Sequence, residues 1–397
     1  MGFDPRQLSS ASPAFHLGLA RSQASLIRMY SWLRPLLFRM DPERAHRLTL
    51  LALGAAGNFA PARWIMAALY GGPEHPVKVF GINFKNPIGL AAGYDKDGIA
   101  VRGLAALGFG HIEVGTVTPL RQAGNPKPRL FRLVEDEAII NRLGFPSRGS
   151  AFVARRLSPG PAGNWIADMV GLSSRNPTVN NRYSLRLTSG AIIGVNLGRN
   201  SNTPNEQAVL DYLDLLQNFA PHADYLTINV SSPNTVGLRD LQGRAALEAL
   251  LTQLHAQRRF EQERIKRRLP LLVKLAPDLT EAELVDALDV ILTTHMDGVI
   301  ISNTTLARDG VRSEQRLESG GLSGAPLRQQ SESLLKLAVQ HVGGEIPVIS
   351  SGGVLTPDDA RRRLDLGAAL VQVYTGLVYR GPGLVKQMLK SLPAYTS

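Results

Sequence analysis

Eight near-continuous apolar runs, each ending in a glycine or polar tip and separated from the next by helical sequence, constrain this chain more than any other feature. They are Ile88–Ala92, His111–Thr116, Ala191–Leu197, Tyr225–Val230, Leu271–Leu275, Gly298–Asn303, Pro347–Ser351 and Leu370–Tyr374. Strands that do not alternate with polar residues must be covered on both faces, which is the pattern of a parallel sheet wrapped by helices. Eight such units predict an α/β fold, the (β/α)8 TIM barrel. A doubly wound open sheet is the alternative, but it needs a switch point in the strand order and none is evident. Val77 to Asn83 reads as a hairpin closing the barrel floor, and Pro126 to Leu143 as a hairpin above the second strand. Pro159 to Ser189, rich in Gly, Ser, Asn and Pro, reads as a surface insertion.

The residues before 77 follow another pattern. Residues 1–24, with Asp4 their one acid, are expected to form a flexible extension, with a transit peptide as the alternative. Residues 25–76 read as a small helical module. Ser22 or Ser25 can cap a first helix carrying Leu26, Ile27, Leu33, Leu36 and Leu37 among arginines, which Pro35 is expected to kink or divide. Asp41-Pro42-Glu43 is a strong second start: a capping carboxylate, proline at the first helical position, and an acid at the positive helix end. That helix runs to Asn58, and a third is expected around Trp64 to Tyr70. Such basic, aromatic and leucine-rich amphipathic helices suit a membrane surface, or pack their apolar faces on the barrel. Residues 77–397 make the barrel domain.

Composition narrows the chemistry. The chain has no cysteine, so disulfides, thiolate metal sites and cysteine catalysis are excluded. Its 44 basic and 33 acidic residues give a formal charge of +11, which gathers anions at the surface. No zinc, helix-turn-helix or RNP-type pattern accompanies that charge, so nucleic acid is not the expected partner. No run of 18 apolar residues exists to cross a bilayer.

In a TIM barrel the functional side chains sit at the carboxyl ends of the strands. Here those ends carry Lys96, Thr116, Asn196, Asn229 to Asn234, Lys274, Ser302 to Thr304, Gly352-Gly353 and Tyr374-Thr375. Polar tips on almost every strand point to one convergent site. Repeated asparagines offer donors and acceptors in fixed planes, which suits a flat heterocycle with imide edges, such as a flavin or a pyrimidine. The glycines after strands seven and eight, Gly352, Gly353 and Gly376, fit a phosphate cradle because backbone amides can approach closely there.

Seven strings in order then resemble the dihydroorotate dehydrogenases, from about Met29 onward. They are Ala91-Ala92-Gly93-Tyr94-Asp95-Lys96, Asn141-Arg142-Leu143-Gly144-Phe145, Gly194-Val195-Asn196-Leu197-Gly198 and Asn229-Val230-Ser231-Ser232-Pro233-Asn234-Thr235, followed by Val273-Lys274-Leu275-Ala276-Pro277-Asp278, Ser302-Asn303-Thr304-Thr305 and Gly320-Gly321-Leu322-Ser323-Gly324. The soluble class of that family has a cysteine base where this chain has Ser232, and the membrane-associated, quinone-dependent class has serine. The helices before residue 77, including Asp41-Pro42-Glu43 and Ala45-His46-Arg47, are similar to the quinone-access module of that second class.

The resemblance implies oxidation of dihydroorotate to orotate in pyrimidine (UMP) biosynthesis, with one FMN per chain, a membrane quinone as terminal acceptor and no metal. It implies Ser232 as the catalytic base at C5 while a hydride leaves C6 for flavin N5, with Thr235 or a water taking the proton onward and the segment after Asn234 as a lid. Lys96, Asn141, Arg142, Leu143, Gly144, Phe145, Asn229, Asn234, Asn303 and Thr304 match substrate positions. Ala92, Gly93, Thr116, Asn141, Asn196, Asn229, Lys274, Ser302, Gly324, Gly353, Tyr374 and Thr375 match flavin positions, Lys274 at the N1/O2 edge. His46 and Arg132 match positions lining the quinone passage. Leu37 departs from a glutamine found in some members, and Leu143 from a common Tyr or Met. A monomer is expected, peripheral on the cytoplasmic face of a bacterial inner membrane, with the mitochondrial inner membrane as the alternative. Two rival readings are a related FMN barrel acting on another pyrimidine or on tRNA uracil, and a non-catalytic membrane-associated scaffold. The Ser232 string and the amphipathic helices argue against the first, and intact Ser232, Lys96 and Lys274 against the second.

Overall fold

Val77–Val79 and Ile82–Phe84 pair antiparallel around Phe80 and Gly81, both with positive φ (54° and 80°), the backbone that a two-residue hairpin turn demands. Phe80 and Phe84 from this hairpin pack with Tyr225, Leu272, Ile300, Ile349 and Leu370 to plug the barrel from below. The computed structural model describes residues 30–158 and 190–393. The expected 1–24 extension, the Ser22 or Ser25 cap and the Pro159 to Ser189 insertion lie outside the described residues.

Above the floor, eight parallel strands close into a barrel: β1 (Ile88–Leu90), β2 (His111–Val117), β3 (Ile192–Leu197), β4 (Tyr225–Asn229), β5 (Leu271–Leu275), β6 (Gly298–Ile301), β7 (Val348–Ser351) and β8 (Leu370–Val373). Each pairs with its sequence neighbours, and β8 returns to β1 with Val371 opposite Ile88 and Val373 opposite Leu90. Nearly every strand residue is buried, as apolar runs covered on both faces must be. Several strands end one or two residues before the apolar run does. Ala91-Ala92, Ser302-Asn303 and Tyr374 lie just past the strand ends and shape the rim, Ala91, Ser302 and Asn303 still donating to the neighbouring strands.

The N-terminal helices dock on the barrel's side. Residues 30–39 are helical, and the helix runs through Pro35 without dividing, contrary to one of the two outcomes expected from sequence. Helix α1 (Pro42–Asn58) starts as its sequence dictates, Asp41 Oδ1 accepting from the Arg44 N–H at 2.9 Å with Pro42 in the first turn. Helix α2 (Ala60–Tyr70) begins earlier than Trp64, because Pro61 sits in its first turn rather than between helices. A Cβ on Gly57 would fall 2.3 Å from the Gly103 backbone nitrogen, so α1 lies backbone to backbone against the barrel helix Val101–Ala106. Trp32, Leu36, Phe59, Trp64 and Ile65 remain exposed on this module. Among the described residues no helix is long and apolar enough to cross a membrane.

Over the barrel mouth, Leu130–Leu133 and Ala138–Asn141 form the expected hairpin, and Gly321–Gly324 adds a third antiparallel strand with Leu322 opposite Ile140. That third strand was not foreseen: Gly-Leu-Ser-Gly carries little strand propensity and is held by its partner.

Candidate active site

The site is built upward from one buried carboxylate. Glu113 points into the barrel from β2, fully buried, and accepts from Asn196 Nδ2 (2.8 Å), Gln372 Nε2 (2.8 Å) and Tyr225 OH (3.3 Å). Fixing the Asn196 amide nitrogen turns its oxygen upward, where it accepts from Thr116 Oγ1 (2.6 Å) and Asn229 Nδ2 (2.9 Å). Asn229 Oδ1 then accepts from both the N–H and the Oγ of Ser231, and Ser231 Oγ accepts from Asn303 Nδ2 at 2.8 Å. One carboxylate thus sets the orientation of three asparagines at the tips of β3, β4 and β6.

Over this layer opens a cleft whose empty volume, counted out to its mouth, is about 950 Å³. Of the barrel residues expected at the site, all line this cleft except Asn196, Arg142, Thr235 and Gly376; Gly376, expected in the phosphate cradle, instead packs against the Val354 backbone. Asn196 lies one layer below. The Arg142 side chain is not at the cleft: it pairs with Glu318 at 2.6 Å and lies over the Phe131 ring, bracing the roof. Lys274, opposite Asn229 in the β4–β5 ladder, is buried and forms no ion pair among the described residues. Burial lowers its pKa and Glu113 raises it in part. Lys96 donates to the Gly93 carbonyl at 2.8 Å; burial, against the pull of Asp97 and Glu43, brings its pKa down to about 8.

Ser232 is 5% exposed and faces the cleft, its Oγ accepting from the Asn234 N–H at 3.3 Å. Three residues on, Thr235 Oγ1 is buried with no hydrogen-bond partner among the described residues. Asn234 Nδ2 reaches Asn141 Oδ1 at 3.2 Å, linking this loop to the roof. Arg239 anchors the far end of the loop: it donates to the carbonyls of Ser231 (3.0 Å) and Thr304 (2.9 Å) and pairs with Asp278 (2.6 Å).

Sequence reading missed Glu113, Gln372 and Arg239. The first two had a signal, a polar residue inside an apolar barrel strand, the same one that marked Lys274. Arg239 had none, since its partners are 8, 39 and 65 residues away.

At the cleft's other end stand Gly324, Gly352, Gly353 and Thr375, with Ser323 Oγ 2.8 Å from Thr375 Oγ1. Gly353 (φ 72°) could carry no side chain, because a Cβ would fall 2.4 Å from the Arg328 Cα. The residues fit a flavin phosphate. Among the described residues Gln372 Oε1 is a buried acceptor without a hydrogen-bond partner, and Lys274 is a buried cation with no carboxylate in ion-pair contact. Uncommitted polar groups of both kinds around a flat, asparagine-floored slot match an imide-edged ring, and the glycine tips match its phosphate. Among the described residues no cluster of His, Cys, Asp and Glu could hold a metal ion.

A separate, mainly apolar cavity, whose empty volume counted out to its mouth is about 1300 Å³, lies between the N-terminal helices and the barrel. His46, Arg132 and Leu37 line it, and Tyr374 forms a wall of both cavities. Tyr94 meets Tyr374 edge to face at 5.6 Å, and His46 meets Tyr94 at 4.9 Å. Burial, aided by the Lys96 charge, lowers the His46 pKa to about 4, so the ring is neutral at pH 7. Arg132 is committed to the Phe38 and Met40 carbonyls and lies over the Phe38 ring.

Comparison with known proteins agrees with this architecture. The family model described as dihydroorotate dehydrogenase matches residues 75–395. Proteins named dihydroorotate dehydrogenase (quinone) from Thiobacillus denitrificans and Alkalilimnicola ehrlichii are 43% and 44% identical to this chain over 365 residues. Each alignment covers 92% of this chain and 99% of the relative. The crystal structure of ligand-free DHODH from Eimeria tenella superposes with a TM-score of 0.73 at 38% identity, covering 88% of this chain and 94% of that one. A second structure from that organism, in complex with ferulenol, aligns with the same score. With a family model matched over residues 75–395 and relatives matched almost end to end, the chain belongs to the dihydroorotate dehydrogenase family.

Proposed function

We propose that this chain oxidises dihydroorotate to orotate, the redox step of UMP biosynthesis, and delivers the electrons to a membrane quinone. The observation that carries the reading is Tyr374, a shared wall between the asparagine-lined cleft holding Ser232 and the apolar cavity under the N-terminal helices. A substrate reductant and a hydrophobic acceptor can then be served from two sides without meeting.

Ser232 Oγ is the base that removes the C5 proton. A serine is a weak base at its ordinary pKa, so the proton must move on, and the unpartnered Thr235 hydroxyl supports a relay there. Both groups are nearly excluded from water, which keeps the proton's path defined. Asn141, Asn229, Asn234 and Asn303 hold the pyrimidine's imide and amide edges, and the Lys96 ammonium complements its carboxylate. Ala92, Gly93, Thr116, Ser302 and Tyr374 line the place of one FMN, with Lys274 towards its N1/O2 edge and Gly324, Gly353 and Thr375 towards its phosphate. FMN, when bound, supplies the acceptor for the hydride leaving C6. Asn196 acts one layer below, by orienting Asn229 and Thr116.

The exposed Trp32, Leu36, Phe59, Trp64 and Ile65 support peripheral attachment of the helical module to a lipid surface. His46 and Arg132 line the proposed quinone passage. The decisive experiment mixes the purified yellow protein with dihydroorotate and a water-soluble quinone. Dihydroorotate should bleach the flavin absorbance, and the quinone should restore it with stoichiometric orotate. No bleaching by dihydroorotate, with bleaching by another pyrimidine, would overturn the reading.

A further inference from the structure

Arg363 is the largest fully buried side chain described in this molecule, and no role at the site has been given to it. It comes from the helix Pro357–Asp365 and lies beneath the turn that follows β7. Its Nη1 donates to Ser350 Oγ (3.2 Å). Its Nη2 reaches the Gly352 carbonyl (3.1 Å), the Arg328 carbonyl (3.0 Å) and Ser331 Oγ (2.8 Å). Ser331 Oγ also reaches the Gly352 carbonyl, at 3.0 Å.

Two consequences follow from elementary geometry and charge. In a trans peptide the C=O and the next N–H point in opposite directions. Holding the Gly352 oxygen down towards Arg363 therefore turns the Gly353 N–H the other way, and Gly353 is part of the cleft wall. The same guanidinium ties in Arg328, against whose backbone Gly353 rests, so the turns after Gly324 and after β7 are locked to each other.

The charge is the second consequence. Glu332 comes within 3.4 Å of Arg363 Nε without hydrogen bonding it, and Asp359 is committed to Arg328 (2.9 Å) and Arg362 (2.6 Å). Among the described residues, the one carboxylate in ion-pair contact with the buried Arg363 is thus shared with Arg362, whose side chain is half exposed, and makes no hydrogen bond to Arg363. Burial lowers the Arg363 pKa to about 10, which leaves it cationic at neutral pH. A buried, under-neutralised charge is costly, and bracing a turn needs only neutral donors. A phosphate in the cradle above would supply the missing negative charge.

We propose that Arg363 is a positioning residue for the flavin phosphate: it aims the Gly353 amide into the cleft and makes the site select a phosphorylated flavin over one without phosphate. This rests on the reading that the cleft holds FMN. It goes further in assigning the selectivity to a side chain that never touches the ligand.

The test is flavin exchange on the full-length holoenzyme. The riboflavin concentration that displaces half the bound FMN, at a fixed FMN concentration, gives the ratio of the two affinities. Arg363→Met and Arg363→Gln should lower that ratio by about tenfold or more, as loss of a charge-assisted interaction does, while Arg363→Lys keeps it within about threefold. Gln retains donors for Ser331 and Gly352, so it carries the test if the Met variant does not fold. A merely structural role would weaken both flavins together, and an unchanged ratio in both neutral variants overturns the proposal. Wild-type protein that binds no FMN would instead overturn the reading of the cleft itself.

Discussion

Ser231 and Asn229 are joined by two hydrogen bonds, the Ser231 N–H and Oγ both donating to Asn229 Oδ1, at 3.2 and 2.9 Å. This pins the backbone one residue before Ser232, while the Asn234 N–H pins its Oγ from the other side. The hydroxyl is therefore fixed from the chain, not by the ligand. Replacing Ser232 with Ala should slow flavin reduction by dihydroorotate about 10²–10⁴-fold, the span of a lost general base, with flavin content unchanged. Stopped-flow bleaching at 450 nm or so measures it, and wild-type rates in the variant would refute the assignment.

Arg239 should matter nearly as much without touching substrate. Its guanidinium holds the Ser231 and Thr304 carbonyls and pairs with Asp278, each partner about one-fifth exposed. Arg239→Ala frees both loops and should lower kcat for dihydroorotate oxidation about tenfold, with FMN retained. Arg239→Lys should not restore it, because one ammonium cannot span three acceptors in the fork geometry. Recovery of full kcat in the Lys variant would show that only charge is required.

These two residues also mark what a sequence discloses. The barrel was legible because a strand covered on both faces must be apolar throughout, and that requirement is local. Ser232, the asparagines and Lys274 were legible as polar residues at strand tips or within apolar strands. Glu113 and Gln372 obey the same rule and were passed over, although their hydrogen bonds orient the layer beneath the cleft. The Gly321–Gly324 strand and Arg239 were not legible, since each is defined by partners distant in sequence. Sequence did not show that the Arg142 side chain turns to Glu318 while its neighbours line the cleft.

The apolar cavity makes a prediction of its own. Ala56 lines it, half-buried, on α1. Ala56→Phe keeps the helix and adds volume where a quinone would pass. Turnover with quinone should fall about tenfold or more while flavin reduction by dihydroorotate stays within about twofold, a split that follows if the two half-reactions use different cavities. Equal loss in both half-reactions would place the two reactants on one side of Tyr374.

Lys96 gives the pH dependence its sign. Its pKa of about 8 means an ammonium below that pH and a neutral amine above it. Only the ammonium attracts the substrate carboxylate, so kcat/KM for dihydroorotate should decline as pH rises through about 8, approaching tenfold per pH unit. The parameter kcat/KM reports the free enzyme, which is the state whose pKa burial has lowered; bound substrate would raise it again. Lys96→Met should lower kcat/KM at pH 7 about tenfold to a hundredfold, as losing a charged hydrogen bond does, and should remove this limb of the profile. Lys96→Arg holds its charge well above pH 8 and should extend the plateau upward, even if the longer fork lowers its height. The same alkaline decline in wild type and in Lys96→Met would assign the limb to another group and leave Lys96 without a part in substrate capture.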